Sequence, residues 1–213
     1  MRHLGHAFSM MVILLATVGA MADELNGCDD PDPERRIAPC SALIDAPGTA
    51  PVLRSRAYFL RGMSYARLGQ YQRSIPDYDA AIRITPRFAS ALNNRANAYQ
   101  KLGRPSEGLS DIEQALEIEP HEPIFNATRG EIGQALGNRD AAMRDHEAAM
   151  AFGGMAFVKL YQCSLRLARL YRGPLDGIVR PELRTALRLC VDQGSQCAPL
   201  PPFPVSECPE PVG

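Results

Sequence analysis

Few side chains in this 213-residue chain could take part in catalysis. A serine or cysteine nucleophile usually needs a histidine base beside it, and beyond the first ten residues the chain has only His121 and His146. His121 falls in a turn between Pro120 and Pro123, and His146 occupies a position that is predicted to face the core. The sequence therefore predicts no enzyme active site and no cofactor.

Three aspartates recur along the chain and could suggest carboxylate chemistry. Asp77, Asp111 and Asp145 are separated by 34 residues, and three arginines recur at the same interval, at positions 61, 95 and 129. A repeated arginine near a repeated aspartate favours ion pairs, which contribute roughly 0–1 kcal/mol when they lie on the surface. We interpret these aspartates as structural.

The cysteines carry a second possible chemistry, and their spacing favours disulfides over a metal site. There are six: Cys28, Cys40, Cys163, Cys190, Cys197 and Cys208. Structural zinc sites usually contain CxxC pairs or cysteines and histidines at ligand spacing, and neither pattern occurs here. Cys28 and Cys40 stand apart from the rest and are predicted to pair with each other. The other four allow three connectivities, which the sequence leaves open.

The N-terminus has the features of a secretory signal. Arg2 provides a positive start, residues 8–18 form a mostly apolar run, and residues 20–22 read Ala-Met-Ala, which suits signal peptidase. The run is shorter than the roughly 20 residues of a spanning helix. Residues 1–22 are therefore predicted to be a cleaved signal peptide, and the mature protein to be periplasmic or secreted without stable membrane insertion. The alternatives are an uncleaved anchor and a wrongly assigned start of the chain.

The overall charge argues against two classes of partner. A formal net charge of −1 and a pI near 6.4 provide no general attraction to nucleic acid or to anionic membranes. With 46% hydrophobic and 22% charged residues, the chain has the composition of an ordinary folded domain.

The chain contains an internal repeat of 34 residues, in segments 55–88, 89–122 and 123–156. One aligned column holds small residues inside a helical stretch, a second holds glycine and a third holds alanine. In that order the columns are 62, 96 and 130; 69, 103 and 137; and 81, 115 and 149. Small residues let two helices approach closely, and glycine accepts the left-handed conformation at a helix end. Each segment is therefore predicted to form helix, turn, helix.

This pattern resembles the tetratricopeptide repeat, a family of stacked helix pairs of this length. The matching residues in the first copy are Tyr58, Gly62, Tyr65, Gly69, Tyr71, Ser74, Tyr78, Ala81 and Pro86. In the third copy, Gly133, His146 and Gly154 replace residues that are usual in the family. The resemblance implies an all-α, antiparallel helix-pair solenoid of three repeats. A cap helix, stapled by a disulfide, is predicted within residues 23–54.

The resemblance also implies where a partner would bind. In this family the first helix of each pair lines a concave groove that holds extended peptides. Helical periodicity places eight residues on those faces: Arg56, Phe59, Met63, Asn93, Asn97, Lys101, Glu131 and Gln134. The asparagine amides suit a peptide backbone, the two basic residues suit a carboxylate, and Phe59 and Met63 suit an apolar side chain. The alternative is an ordinary solvated helix face.

Residues 157–190 contain Val158, Gln162, the run Tyr-Arg-Gly-Pro-Leu-Asp-Gly-Ile at 171–178 and Pro181. This pattern resembles the small peptidoglycan-binding domain of many exported bacterial proteins. It implies a glycan-binding motif at Tyr171, Gly173, Asp176 and Gly177. Arg180 and Leu183 depart from the glycine and threonine that are usual in the family, and the motif residues also suit turns and a core. Residues 191–213 are predicted to form a proline- and cysteine-rich surface tail.

Taken together, these patterns predict a non-catalytic scaffold or adaptor of the bacterial cell envelope that binds a protein or peptide. One alternative is a module anchored to peptidoglycan through its C-terminal segment. Another is an accessory subunit of a cell-wall enzyme or of a secretion complex.

Overall fold

The computed structural model describes residue 25 and residues 27–200, and this part of the chain is all-α, without a strand. Its helices are α1 (Pro33–Asp45), α2 (Pro51–Arg67), α3 (Tyr71–Ile84), α4 (Ala89–Lys101), α5 (Pro105–Ile118), α6 (Pro123–Ala135), α7 (Arg139–Leu167) and α8 (Pro181–Asp192), followed by a short 3₁₀ helix at Gly194–Gln196. The predicted fold class is confirmed. The predicted signal peptide and Cys208 lie outside the described residues.

The chain divides into two compact units, the first ending at Pro86 and the second beginning at Arg87. In the first unit, α2 and α3 form an antiparallel pair. The Ser55 hydroxyl near the start of α2 donates to the Ala81 carbonyl near the end of α3, at 3.0 Å. At the other end of the pair, the Arg73 guanidinium donates to the Tyr65 hydroxyl at 3.0 Å. The first repeat is therefore a helix hairpin.

A cap helix, α1, packs on the first hairpin, as the sequence predicted. Its N-cap is Asp32, whose carboxylate accepts from the backbone N–H groups of Glu34 and Arg35 at 2.9 and 3.1 Å. The predicted Cys28–Cys40 disulfide is present, with the two Cα atoms 4.5 Å apart. This bond fixes the segment before α1 to the middle of the helix.

The second unit contains two further helix pairs, α4 with α5 and α6 with α7. The first helix of each repeat ends at a glycine in the left-handed region, with φ of +72° at Gly69, +73° at Gly103 and +81° at Gly137. A side chain is strained in that conformation, so glycine terminates these helices at low cost. The predicted role of this glycine column is confirmed.

The third repeat runs directly into the C-terminal segment. α7 continues from Arg139 to Leu167 but bends at Gly154, whose φ of 61° and ψ of −159° are not helical. The part of α7 beyond the bend packs with α8 around buried residues that include Tyr161, Leu165 and Leu187. These helices form the small C-terminal helical part of the fold.

The structure settles part of the disulfide connectivity that the sequence left open. Cys190 pairs with Cys197, with the Cα atoms 5.3 Å apart. Cys163 is also disulfide-bonded. The short 3₁₀ helix lies between Cys190 and Cys197, so their disulfide closes a tight loop at the end of α8.

The predicted ion pairs are present in all three repeats. Arg61–Asp77, Arg95–Asp111 and Arg129–Asp145 join the two helices of each repeat at 2.7, 2.6 and 2.6 Å. The carboxylate side chains are only 6%, 7% and 11% exposed, so these are largely buried pairs and not the surface pairs that the sequence suggested. Both guanidinium N–H groups that face Asp111 donate to it, which satisfies the buried carboxylate.

Substituting Asp111 by alanine should therefore destabilise the second unit by about 2 kcal/mol, because the largely buried ion pair between the two helices is lost. A urea titration followed by circular dichroism measures this change. The matched control on the same helix is Glu107→Ala, which breaks an exposed pair with Arg104 and should leave the midpoint unchanged. Equal midpoints for the two variants would show that the interhelical pair does not stabilise the repeat.

Candidate functional site

The second unit contains a cleft of about 330 Å³. Helix α4, helix α6, the part of α7 beyond the bend and the segment after the 3₁₀ helix line it, through Asn97, Lys101, Ile124, Thr128, Glu131, Phe157, Leu160, Ala198 and Leu200. Three of the eight predicted groove residues are therefore brought together, namely Asn97, Lys101 and Glu131. They come from the first helices of two successive repeats.

Helical spacing explains why these residues share the cleft. Asn97 and Lys101 are one turn apart on α4, and residues 124, 128 and 131 follow one another at intervals of four and three along α6. Side chains at such intervals lie on one face of a helix. Phe157 and Leu160 have the same relationship on α7.

Lys101 and Glu131 form an ion pair in the lining of the cleft, and Glu131 is the more deeply buried of the two. The Lys101 ammonium lies 3.6 Å from the Glu131 carboxylate, and the Lys101 side chain is 38% exposed against 12% for Glu131. Burial raises the pKa of Glu131 above its ordinary value, an effect that the nearby Lys101 partly offsets. Because an ammonium has three N–H donors, Lys101 can hold Glu131 and still bind an oxygen of a ligand.

Most of the other residues that line the cleft are apolar. Ile124 is 42% exposed, and Phe157, Leu160 and Leu200 are half-buried. An apolar wall beside a lysine and an amide suits a ligand that carries an apolar side chain next to polar atoms.

Two predicted groove residues, Asn93 and Gln134, are buried. Asn93 donates to the side-chain oxygen of Asn94 at 3.1 Å. The Gln134 amide nitrogen donates to the carbonyl oxygens of Gly194 and Cys197 at 2.5 and 2.7 Å. Gln134 thus holds the segment after α8 against α6, and that segment forms one wall of the cleft.

The remaining predicted groove residues lie on α2 in the first unit. Arg56 is exposed there, and Phe59 and Met63 are half-buried. The Phe59 ring lies 6.3 Å from that of Tyr78 on the paired helix. Phe59 therefore contributes to packing within the first repeat.

Sequence reasoning missed six residues of the cleft. Ile124 and Thr128 could have been found by extending the periodicity of Glu131 back along α6. The other four, Phe157, Leu160, Ala198 and Leu200, come from segments that reach the cleft only through tertiary packing. No pattern in the sequence connects them with α4.

The loop that resembles a peptidoglycan-binding motif is held by a buried glutamine. The Gln162 side-chain oxygen accepts from the Gly177 backbone N–H at 2.9 Å, and its nitrogen donates to the carboxylate of Asp176 at 3.1 Å. Gly177 has a φ of +78°, and a Cβ there would lie 2.6 Å from the Met155 carbonyl oxygen. Asp176 and Gly177 therefore shape the turn.

The other motif residues also have partners within this loop. The buried Tyr171 donates its hydroxyl to the Pro174 carbonyl at 3.1 Å, and a Cβ on Gly173 would collide with the Tyr171 ring. Arg180, which stands where the family has glycine, forms two hydrogen bonds with Asp176 at 2.9 and 2.6 Å. These bonds hold the pKa of Asp176 well below its usual range.

Comparisons with known families agree with the helix-pair architecture. A model described as TPR repeat matches residues 57–103, and one described as Tetratricopeptide repeat matches residues 89–122. Residues 57–122 thus match tetratricopeptide repeats, as the sequence predicted. These matches end at residue 122, and they do not support the resemblance of residues 157–190 to a peptidoglycan-binding domain.

Solved structures show the same fold. A chain described as "Crystal structure of MamA" has a TM-score of 0.53 and 18% identity, over 67% of this chain and 84% of its own. A second, "Crystal structure of MamA protein", has a TM-score of 0.53 and 19% identity, over 66% of this chain and 76% of its own. At this identity the likeness concerns the fold alone. No curated protein sequence matches the chain.

Proposed function

We propose that this protein is a non-catalytic adaptor of the bacterial cell envelope, and that the cleft between α4, α6 and α7 binds an extended segment of a protein partner. The observation that carries the proposal is the convergence of Asn97, Lys101 and Glu131, from the first helices of two repeats, beside an apolar wall. Tetratricopeptide repeats generally mediate protein–protein interactions. First helices are also the ones that line the binding groove in this family.

The cleft chemistry specifies the kind of segment. A volume of about 330 Å³ is at the small end of ligand sites, which supports one or two side chains and not a folded surface. The Asn97 amide can both donate to and accept from a peptide backbone. Lys101 favours an acidic residue, and the wall of Phe157 and Leu160 favours an aromatic or aliphatic one. The preferred partner is an extended segment with an apolar side chain next to an acidic residue.

The disulfides support placement in the envelope. The described residues contain the Cys28–Cys40 and Cys190–Cys197 bonds, and Cys163 is bonded as well. Disulfides form and persist in oxidising compartments such as the bacterial periplasm, which agrees with the signal peptide predicted at residues 1–22. None of the described helices is long and apolar enough to cross a membrane.

Peptidoglycan anchoring stays a prediction of the sequence. Tyr171, Gly173, Asp176 and Gly177 each make contacts inside their own loop that account for their presence without a ligand. The role of accessory subunit is a special case of the adaptor function, with a wall enzyme or a secretion complex as the partner.

Selection from a random peptide library tests the proposal, with the mature chain as bait. Enriched peptides should pair an apolar residue with Asp or Glu. Lys101→Met should weaken their binding about tenfold, the loss of one charge-assisted contact. The matched control is Lys159→Met, because Lys101 and Lys159 are the only lysines in the chain and Lys159 does not line the cleft. Fluorescence anisotropy measures the affinities.

Two results would contradict this proposal. One is a selection that enriches no peptide. The other is a set of enriched peptides that bind wild type and Lys101→Met equally well, since their site would then lie elsewhere.

A further inference from the structure

We infer that an acidic ligand binds in the cleft together with one proton, which Glu131 takes up from solvent, so that the cleft binds acidic groups more tightly as the pH falls. This coupling regulates the proposed binding site. The identity of the natural ligand, though not the coupling itself, rests on the proposed function.

The charges in the lining of the cleft offset each other. Lys101 and Glu131 are the only residues with an ionisable side chain among the described residues that line it, and the ammonium lies 3.6 Å from the carboxylate. An acidic ligand therefore meets a lysine that already has a carboxylate partner. The ligand gains the full attraction of Lys101 only if Glu131 loses its charge.

A ligand carboxylate that binds Lys101 also comes close to Glu131. A charge-assisted hydrogen bond to an ammonium is about 2.8 Å long. With Glu131 held on the same ammonium, the two carboxylates would lie no more than about 6.5 Å apart. Two like charges this close disfavour each other's ionised form. Because the Glu131 side chain is largely buried, water screens this repulsion poorly, and Glu131 is the carboxylate that takes the proton.

Burial favours the neutral form of Glu131 even before a ligand binds. It raises the pKa of Glu131, and the contact with Lys101 partly offsets this effect. A ligand that covers the cleft excludes more water from Glu131 and draws Lys101 away, and both changes raise the pKa of Glu131 further. Ligand binding and proton uptake therefore favour each other, and the coupling is reciprocal.

The ionisable groups that face α6 from α7 do not replace Glu131 as the proton acceptor. Asp145 pairs with Arg129 at 2.6 Å. Tyr161 interacts electrostatically with Glu131, but burial raises its pKa, so it stays neutral. His146 also stays neutral at pH 6 and above, because burial lowers its pKa to about 3.

The other elements packed on α6 contribute charges that already have partners. On α4, Arg95 pairs with Asp111 at 2.6 Å, which leaves Lys101 as the cation at the cleft. On α5, Glu113 is exposed and interacts electrostatically with Arg129. The described segment after α8 carries no acidic or basic side chain. Glu131 is therefore the group in this region that responds to a ligand at Lys101.

Binding of 3-phenylpropionate to the mature chain tests the inference, because this probe joins an aromatic ring to a carboxylate and needs no partner protein. Uptake of one proton raises the dissociation constant by at most about tenfold per pH unit. Wild type should bind the probe about fivefold more weakly at pH 7 than at pH 6. The probe's own carboxyl, like that of a glutamate, is ionised throughout this range. An NMR titration measures both constants, and equal values would overturn the inference.

Glu131→Gln assigns the proton to its residue. Glutamine has the size of a neutral glutamic acid and cannot ionise, so this variant should bind the probe at pH 7 as tightly as wild type does at pH 6, with the same constant at both pH values. The matched control is Glu113→Gln, which removes an exposed carboxylate of the same unit and should keep the fivefold difference. A fivefold difference that persists in Glu131→Gln would overturn the assignment.

Calorimetry on the unaltered chain counts the protons directly. Titration of wild type with the probe at pH 6.5, in MES and in imidazole buffer, gives the uptake from the two ionisation enthalpies of the buffers. The uptake should lie between about one half and one proton for each bound probe. A count near zero, or no binding of the probe at any pH, would contradict the coupling.

These outcomes separate the coupling from the proposed function. If the probe binds with proton uptake but the library yields no peptide, the peptide-binding proposal fails and the coupling stands. If library peptides bind through Lys101 with equal affinity at pH 6 and pH 7, and the probe binds without proton uptake, only the coupling fails.

Discussion

Substituting Gly108 by alanine should lower the free energy of unfolding by about 3 kcal/mol, even though alanine is the better helix former. Gly108 lies on α5, where an added Cβ would be 2.7 Å from the Ala96 carbonyl oxygen and 2.9 Å from the Ala96 Cα atom on α4. Those atoms belong to the backbone, so the contact can be relieved only by moving one helix of the pair. The cost of that movement exceeds the roughly 1 kcal/mol gained in helix propensity. Urea denaturation followed by circular dichroism measures the difference.

A matched glycine within a helix of the same unit should behave in the opposite way. A Cβ on Gly133 of α6 would approach its nearest neighbour, the Ala142 Cβ, no closer than 3.6 Å, which is an ordinary contact. Gly133→Ala should therefore stabilise the protein by up to about 1 kcal/mol through helix propensity. If both alanine variants shifted stability in the same direction, close approach of the backbones would not be what requires glycine at position 108.

Acidification from pH 7 to pH 5 should cost about 2 kcal/mol of stability through His146 alone. The His146 ring is fully buried, with Nδ1 2.9 Å from the Tyr161 hydroxyl, and burial lowers the pKa of His146 to about 3. The unfolded chain takes up a proton near the ordinary value of 6.5, so it binds more protons than the folded chain between these two values. The stability associated with a neutral, buried His146 is therefore fully present above pH 6.5 and is lost as the pH falls towards about 3.

The variant His146→Phe isolates this contribution. Tyr78 occupies the equivalent position of the first repeat, beneath Gly62 as His146 lies beneath Gly130, so an aromatic ring suits the site. The difference in unfolding free energy between wild type and His146→Phe should change by about 2 kcal/mol from pH 7 to pH 5. Glu131, whose pKa is raised, acts in the opposite direction and cancels in this difference. A difference that stays constant with pH would show that His146 titrates normally in the folded state.

The groove prediction shows where sequence periodicity loses precision. Asn93, Asn97 and Lys101 are spaced four apart, but each such step drifts by about 40° around a helix. Over two steps the drift is about 80°, and the structure buries Asn93 while Asn97 and Lys101 line the cleft. Gln134 is likewise displaced around α6 from Glu131, and the segment after α8 covers Gln134. A face read from spacing alone is therefore too wide by about one residue at each edge.

Features that depend on local chemistry or on the repeat could be predicted from the residues alone. A small residue, a left-handed glycine and an Arg–Asp pair recur every 34 residues. Each acts within its own helix hairpin, so the hairpins follow without knowledge of the rest of the chain. Cys28 and Cys40 are close in sequence and distant from the other cysteines, so their pairing could also be predicted.

The segments that complete the cleft can be identified only in the folded chain. The bend at Gly154 sends α7 onward beside α6, and the Cys190–Cys197 disulfide with Gln134 brings Ala198 and Leu200 to the rim. The Gln134–Cys197 contact joins residues 63 positions apart, and none of these contacts has a repeated counterpart elsewhere in the described residues. Because such packing depends on the summed shape of several elements, no periodicity in the sequence reports it.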